Sequence, residues 1–150
     1  MNLGDNSMYS FIIFIHVISA ILSIGPFFVL FPLLNRMKGK DREVLDSYLE
    51  VFQAAIRIVK HAGHVLVVSG ILLMWQGNWP WSTSWVIMTI VVMISSIVFL
   101  ARAFKPNIRS FRAETIDLDT LIRKLHRSVW LYILLLLVML WFMVAKPHLW

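Results

Sequence analysis

The chain has 150 residues, of which 59% are hydrophobic and only 15% charged; one soluble core of this size cannot hide that much apolar surface, so it reads as a membrane protein. Cysteine is absent, which excludes disulfides, cysteine-held iron–sulfur clusters and covalently attached c-type haem. The net charge of +6 reads as membrane topology and attraction to anionic lipid, not as nucleic-acid binding.

Hydrocarbon about 30 Å thick takes about 20 apolar residues per helix. The first run that qualifies is Met8 to Leu34, giving a helix predicted over 8–34. Only Asp5 is charged ahead of it and the run is long, so it is expected to be retained and not to act as a cleavable signal. Pro26 cannot donate to the carbonyl of Leu22, nor Pro32 to that of Phe28, so "SIGPFFVLFP" is expected to bend or unwind locally. After the linker-like "RMKGKD", Leu45, Tyr48, Leu49, Phe52, Ala55, Ile56 and Val59 recur at helical spacing. They form an amphipathic lead-in to the apolar run His61 to Trp75, so the second helix is predicted over 42–76 and begins on the aqueous side.

The link "QGNWPWSTS" precedes the run Trp85 to Ala101, predicted as a helix over 84–104. The last helix is predicted over 115–146. There an apolar stripe of Leu118, Leu121, Ile122 and Leu125 leads into the run Val129 to Ala145, and Thr115 and Asp117 are the candidate amino-terminal caps. The lead-ins of the second and fourth helices are expected to protrude on the same side and pack together. Short connections favour antiparallel neighbours, so the expected fold is all-α: one domain over residues 1–150, an up-and-down four-helix membrane bundle.

Basic residues set the orientation. Arg36, Lys38, Lys40, Arg42, Arg57 and Lys60 precede the second apolar run, and Arg102, Lys105, Arg109, Arg112, Arg123, Lys124 and Arg127 lie between the third and fourth. The amino-terminal tail and the tryptophan-rich link have none, so both termini are expected to face outside a cytoplasmic membrane crossed four times. Trp75, Trp79, Trp81 and Trp85 gather at the outer link and Trp141 and Trp150 near the outer end of the last helix, as an interfacial aromatic belt requires.

Ionisable groups in hydrocarbon are costly, about 2.5–3.5 kcal/mol when charged, so each is a functional candidate. At ~1.5 Å per residue, His16 lies about 12 Å and His64 about 17 Å from the outer boundary. Two imidazoles at similar depth on different helices suit a b-type haem gripped from both faces, with His16 and His64 as iron ligands. Arg57 and Lys60 are the candidate propionate partners, on the polar stripe of helix 2 that also carries Glu50, Gln53, His61 and His64. His61 is the alternative helix-2 ligand. Gly63 and Gly70, seven apart, together with Ser19 and Ser23 after His16, permit close approach of a ring or of another helix.

A bland reading stands beside this one: a membrane histidine can hydrogen-bond to a serine or carbonyl on the next helix, and Lys60, His61, Arg123, His126 and Arg127 can serve only as interfacial anchors. The "HAGH" spacing could chelate a metal from one helix face, but its nearest carboxylate on the stripe, Glu50, is about three turns away, which disfavours zinc hydrolysis. Met74, Met88, Met93, Met139 and Met143 could line a path for copper or another small solute. No phosphate loop, activated serine or paired membrane carboxylates support hydrolase or kinase chemistry. Two function classes follow. One is a haem protein for electron transfer or haem handling, working as a membrane oxidoreductase with a quinone or redox partner; the other is a non-catalytic accessory or scaffold subunit. Self-association into a homo-oligomer is compatible with either.

The segments "FIHVISAILSIGPFFVLFPLL", "HVLVVSGILLMW" and "LWFMVAKP" together resemble a bacterial family of four-helix integral membrane proteins of unassigned function, over nearly the whole chain. More remotely, the helix-1 histidine, the glycine-containing stretch after it and the Lys-Pro end look like the membrane protoporphyrinogen oxidase of the haem pathway and the copper-resistance D proteins. The oxidase resemblance implies b-type haem with a helix-1 histidine ligand, and among these residues it carries over to His16 alone. The oxidase's tryptophan before the glycine and its Tyr-x-Pro-Arg element have no counterpart, since Ser23 and Ile24 precede Gly25 and Leu33 follows Pro32.

Overall fold

The computed structural model describes the backbone of residues 3–147 and the side chains of residues 7–147. Five helices run in chain order: α1 (Leu3–Arg36), α2 (Arg42–Gln76), α3 (Ser84–Ala103), α4 (Lys105–Arg112) and α5 (Leu118–Ala145). Four segments are long and apolar enough to cross a membrane: Ser7–Arg36, Arg42–Gln76, Ser84–Arg112 and Leu118–Ala145. His148 and Trp150 lie outside the described residues.

α1 stays helical through both Pro26 and Pro32, so of the expected bend or unwinding the unwinding does not occur. Proline's fixed φ fits a helix, but each ring costs one hydrogen bond and crowds the carbonyl four residues back. Phe27, Leu30 and Leu34 around the two prolines are fully buried in the core and hold the segment in place. The polar end of the third helix also differs from expectation. α3 stops at Ala103, and after a turn at Phe104 the chain forms α4, with a proline in its first turn, where a loop was expected. Phe104 and Ile108 are buried at 2% and 3% exposure, so α4 exists because its apolar side docks on the bundle.

α5 begins at Leu118, and of the two candidate caps it is Asp117 that accepts from the Thr120 backbone N–H at 3.2 Å. These bonds hold the Asp117 carboxyl below the usual aspartate range. The cap is therefore present above the ordinary aspartate pKa and lost as pH falls through the lowered folded value. Protection of the Thr120 amide, relative to its intrinsic exchange rate, is expected to hold at neutral pH and to fall once pH drops below the ordinary aspartate range, whereas Asp117→Ala lowers it throughout. Slow exchange in the alanine variant would mean that the cap plays no part.

α1 packs along α2, α3 packs along α5, and α1 also meets α5. α2 and α3, although consecutive, do not pack along their lengths, so the order around the bundle is α2, α1, α5, α3 and a cleft remains between first and last. At one end lie most of the lysines and arginines. There Leu45, Leu49 and Phe52 of α2 join Phe104, Ile108 and Leu121, Ile122 and Leu125 of α5 in a single core. The lead-ins of the second and last helices thus belong to one packed unit, to which α4 also contributes. α2, with 35 residues, is about 52 Å long and outruns the hydrocarbon. Phe27, Phe52, Phe99, Phe104 and Tyr132 cluster with ring centroids from 4.6 Å (Phe27–Tyr132) to 6.4 Å (Phe104–Tyr132). On the surface, Arg42 pairs with Glu114 at 2.6 Å and links the start of α2 to the end of α4.

The opposite end is aromatic. Trp79 and Trp85 meet edge to face at 5.8 Å, with the Lys146 ammonium 4.5 Å from the centre of the first ring and 5.6 Å from the second. The Ser84 hydroxyl donates to the Pro147 carbonyl at 2.8 Å, which ties the end of α5 to the start of α3.

Candidate functional site

On α1, His16, Ser19 and Ser23 share a face at helical spacing. Ser19 donates to the Ile15 carbonyl at 2.7 Å and Ser23 to that of Ser19 at 2.8 Å. Both hydroxyls are therefore spent on their own helix, and these serines act as small packing residues. His16 reaches across to α2, where its Nδ1 lies 2.9 Å from Ser69 Oγ. The Ser69 proton is itself directed at the Val65 carbonyl, 2.8 Å away. The hydroxyl oxygen is thus left as acceptor, which selects the tautomer with the proton on Nδ1. A Cβ at Gly70 would come within 3.2 Å of His16 Cε1, so the absence of a side chain at Gly70 is what lets the imidazole lie against α2.

Interhelical hydrogen bonds in membranes contribute about 0.6 kcal/mol on average and up to ~1.7. Ser69→Ala is expected to cost stability in that range. Gly70→Ala is expected to shift the ring by a few tenths of an ångström and strain its bond to Ser69, a loss that offsets the gain of up to about 1 kcal/mol in helix propensity, read as the unfolding midpoint in detergent. A Gly70→Ala midpoint raised by that full propensity gain would mean the close approach has no energetic weight.

On the other side of α2 the cleft widens into a cavity of about 350 Å³ between α2, α3 and α5. Its wall is mostly aliphatic, with Met93 and Met139 among the apolar groups and His64, Ser96 and Tyr132 among the polar ones. Lys60 from α2 and Lys105 from the first turn of α4 flank its basic end. Gly63 also lines it, and no atom lies within 4 Å of where a Cβ would sit. The two glycines thus differ: Gly70 lies against the imidazole of His16, and Gly63 faces open space in the cavity.

The structure therefore brings His64 and Lys60 together and sets the other sequence candidates elsewhere. His16 does not line the cavity with His64. Ser69, its partner, is five residues past His64, which puts the two about 140° apart around α2; equal depth does not make them face each other. His61 is exposed, its ring edge-on to His64 at 6.3 Å, and Arg57 is exposed outside the cavity lining. His126 packs against Phe31 at 5.1 Å, as an anchor does. Among the described residues no group of three or more His, Cys, Asp or Glu could hold a metal ion. Sequence reading missed Lys105, Ser96 and Tyr132. The last two are polar interruptions in apolar runs and were visible as such, whereas Lys105 required knowledge of α4.

Four apolar spans, an interhelical imidazole–hydroxyl bond and a lateral cavity with cations at one end define a polytopic helical membrane protein with a cleft between its helices. The chain belongs to the DUF2269 family, described as predicted integral membrane protein, whose family model matches residues 10–147. No curated protein and no solved structure matches it.

Proposed function

We propose that the cavity between α2, α3 and α5 receives an amphiphile with an anionic head, and that this ligand is haem b, with His64 as its iron ligand. The observation that carries the reading is the composition of that one space: aliphatic walls, a single imidazole, and two ammonium groups, Lys60 and Lys105, at the basic end. A porphyrin ring suits the apolar walls while its propionates seek cations. Neither ring nitrogen of His64 is engaged in a hydrogen bond in the described structure. Met93, Met139 and Tyr132 supply thioether and phenol groups on the facing walls, both known types of haem ligand. When bound, such a group supplies one-electron redox chemistry; the chain's part is to hold it, exclude water and fix its orientation. With the basic end in the cytoplasm of a bacterial inner membrane, the role is electron transfer, with quinol as a membrane-soluble donor, or haem handling.

The second reading, a non-catalytic scaffold, is favoured by the His16–Ser69 bond, in which a membrane histidine does nothing beyond joining two helices. The absorption spectrum of protein purified from haem-sufficient cells separates the two. A Soret band with sharp α and β bands on dithionite reduction supports haem; a colourless preparation that also fails to take up added hemin supports the scaffold.

A further inference from the structure

Four cations follow one another along the junction of α3 and α4: Arg102, Lys105, Arg109 and Arg112. Within α4, Lys105, Arg109 and Arg112 fall in an arc of about 60° at 100° per residue; Arg102 lies in the last turn of α3, just before the break at Phe104, and all four are exposed. Beside them Phe104 and Ile108 are buried in the bundle core, Ile108 one helical turn before Arg112. The packing of α4 therefore turns the stripe outward at the basic end of the spans.

Two features separate this stripe from the other cations at that end. No acid lies on it; α4 contains none, whereas the start of α2 intersperses Arg42 with Glu43, Asp46 and Glu50, and the start of α5 carries Asp119 ahead of Arg123 and Lys124. Nor is any of the four engaged in an ion pair or hydrogen bond among the described residues. Like charges three and four residues apart on a helix repel; Arg112 shares a cleft with Asp46 and Glu50 of α2 without pairing with either, and Arg102, Lys105 and Arg109 have no such neighbour on their own helix, so the stripe favours an external anion. The anions found in number where a span leaves the hydrocarbon are lipid phosphates, and clustered Lys and Arg just beyond a span bind anionic headgroups.

We propose that Arg102, Lys105, Arg109 and Arg112 form a docking surface for anionic phospholipid, holding headgroup phosphates along the outward face of α4. Because Lys105 also lines the cavity, the lipid sits at the cavity's basic end. The surface stands whether or not the cavity holds haem.

The test uses the full chain in neutral detergent, titrated with phosphatidylglycerol or phosphatidylcholine and read by native mass spectrometry. The unaltered protein is expected to retain phosphatidylglycerol preferentially, with the preference falling as salt rises. Each cation near the surface is expected to count for roughly fivefold in affinity, so R109Q/R112Q should weaken phosphatidylglycerol retention by about 25-fold. R109K/R112K should keep most of it, and K38Q/K40Q, which removes the same charge from the α1–α2 link, should change it little. Circular dichroism checks that each variant is folded. Equal retention of the two lipids overturns the proposal, as does an equal loss in K38Q/K40Q. Displacement of the lipid by millimolar inorganic phosphate also overturns it, since phosphate alone would then be the ligand.

Discussion

Replacing His64 with alanine is expected to abolish the Soret, α and β bands of the purified protein while leaving its fold and yield unchanged. His64 is exposed on α2 and makes no hydrogen bond, so its truncation removes no internal polar contact, and alanine is the strongest helix former. Loss of colour in this variant therefore reports loss of a ligand. His16→Ala is expected to behave in the opposite way. It removes the bond to Ser69 and the contact over Gly70, costing about 0.6–1.7 kcal/mol of stability, and it should leave the bands in place. Exchanging Lys60 and Lys105 for glutamine should loosen haem without moving its bands, seen as faster transfer to an apo-haemoprotein acceptor. Full bands in His64→Ala, or bands lost only in His16→Ala, would end the assignment of His64.

The largest effect on stability is expected at Phe104. Its ring, 2% exposed, meets Phe27 at 6.0 Å, Phe52 at 5.7 Å, and Phe99 and Tyr132 at 6.4 Å each. It thus touches α1, α2, α3 and α5 at the point where α3 gives way to α4. Truncating a buried phenylalanine costs about 3–5 kcal/mol, through lost contacts and the void left behind. Here the void opens into a space that already exists, because Phe104 lines the cavity, so little collapse can offset the loss. Phe104→Ala is expected to lower the unfolding midpoint strongly and to loosen α4, with faster amide exchange at Ile108. Phe104→Leu should recover most of the midpoint. An alanine variant within about 1 kcal/mol of the unaltered protein would show that these ring contacts do not hold the basic end together.

The comparison of His16 with His64 shows where sequence reading stopped. Depth along a helix follows from counting residues at a fixed rise, so both histidines were legible as lying within apolar spans. Which neighbour each one faces depends on the rotation of α2 against α1 and α5. Ser69 and Gly70, not His64, meet the first helix because that rotation buries Leu66 and Ser69. Asp117 was legible as a cap because capping is local. α4 was not, because an eight-residue helix with a proline in its first turn owes its existence to the docking of Phe104 and Ile108, and docking is a property of the whole bundle.

By itself the sequence determined the membrane class, the four spans and the separation of a basic end from an aromatic one. All of these follow from the cost of exposing backbone or charge to hydrocarbon, a cost that each residue incurs wherever its neighbours lie. Only the tertiary structure decided that α2 and α3 stand apart, that His64 shares a cavity with Lys60 and Lys105, and that His16 is joined to Ser69. Those are facts of helix rotation and adjacency, and they depend on how side chains from four helices fill one interior together.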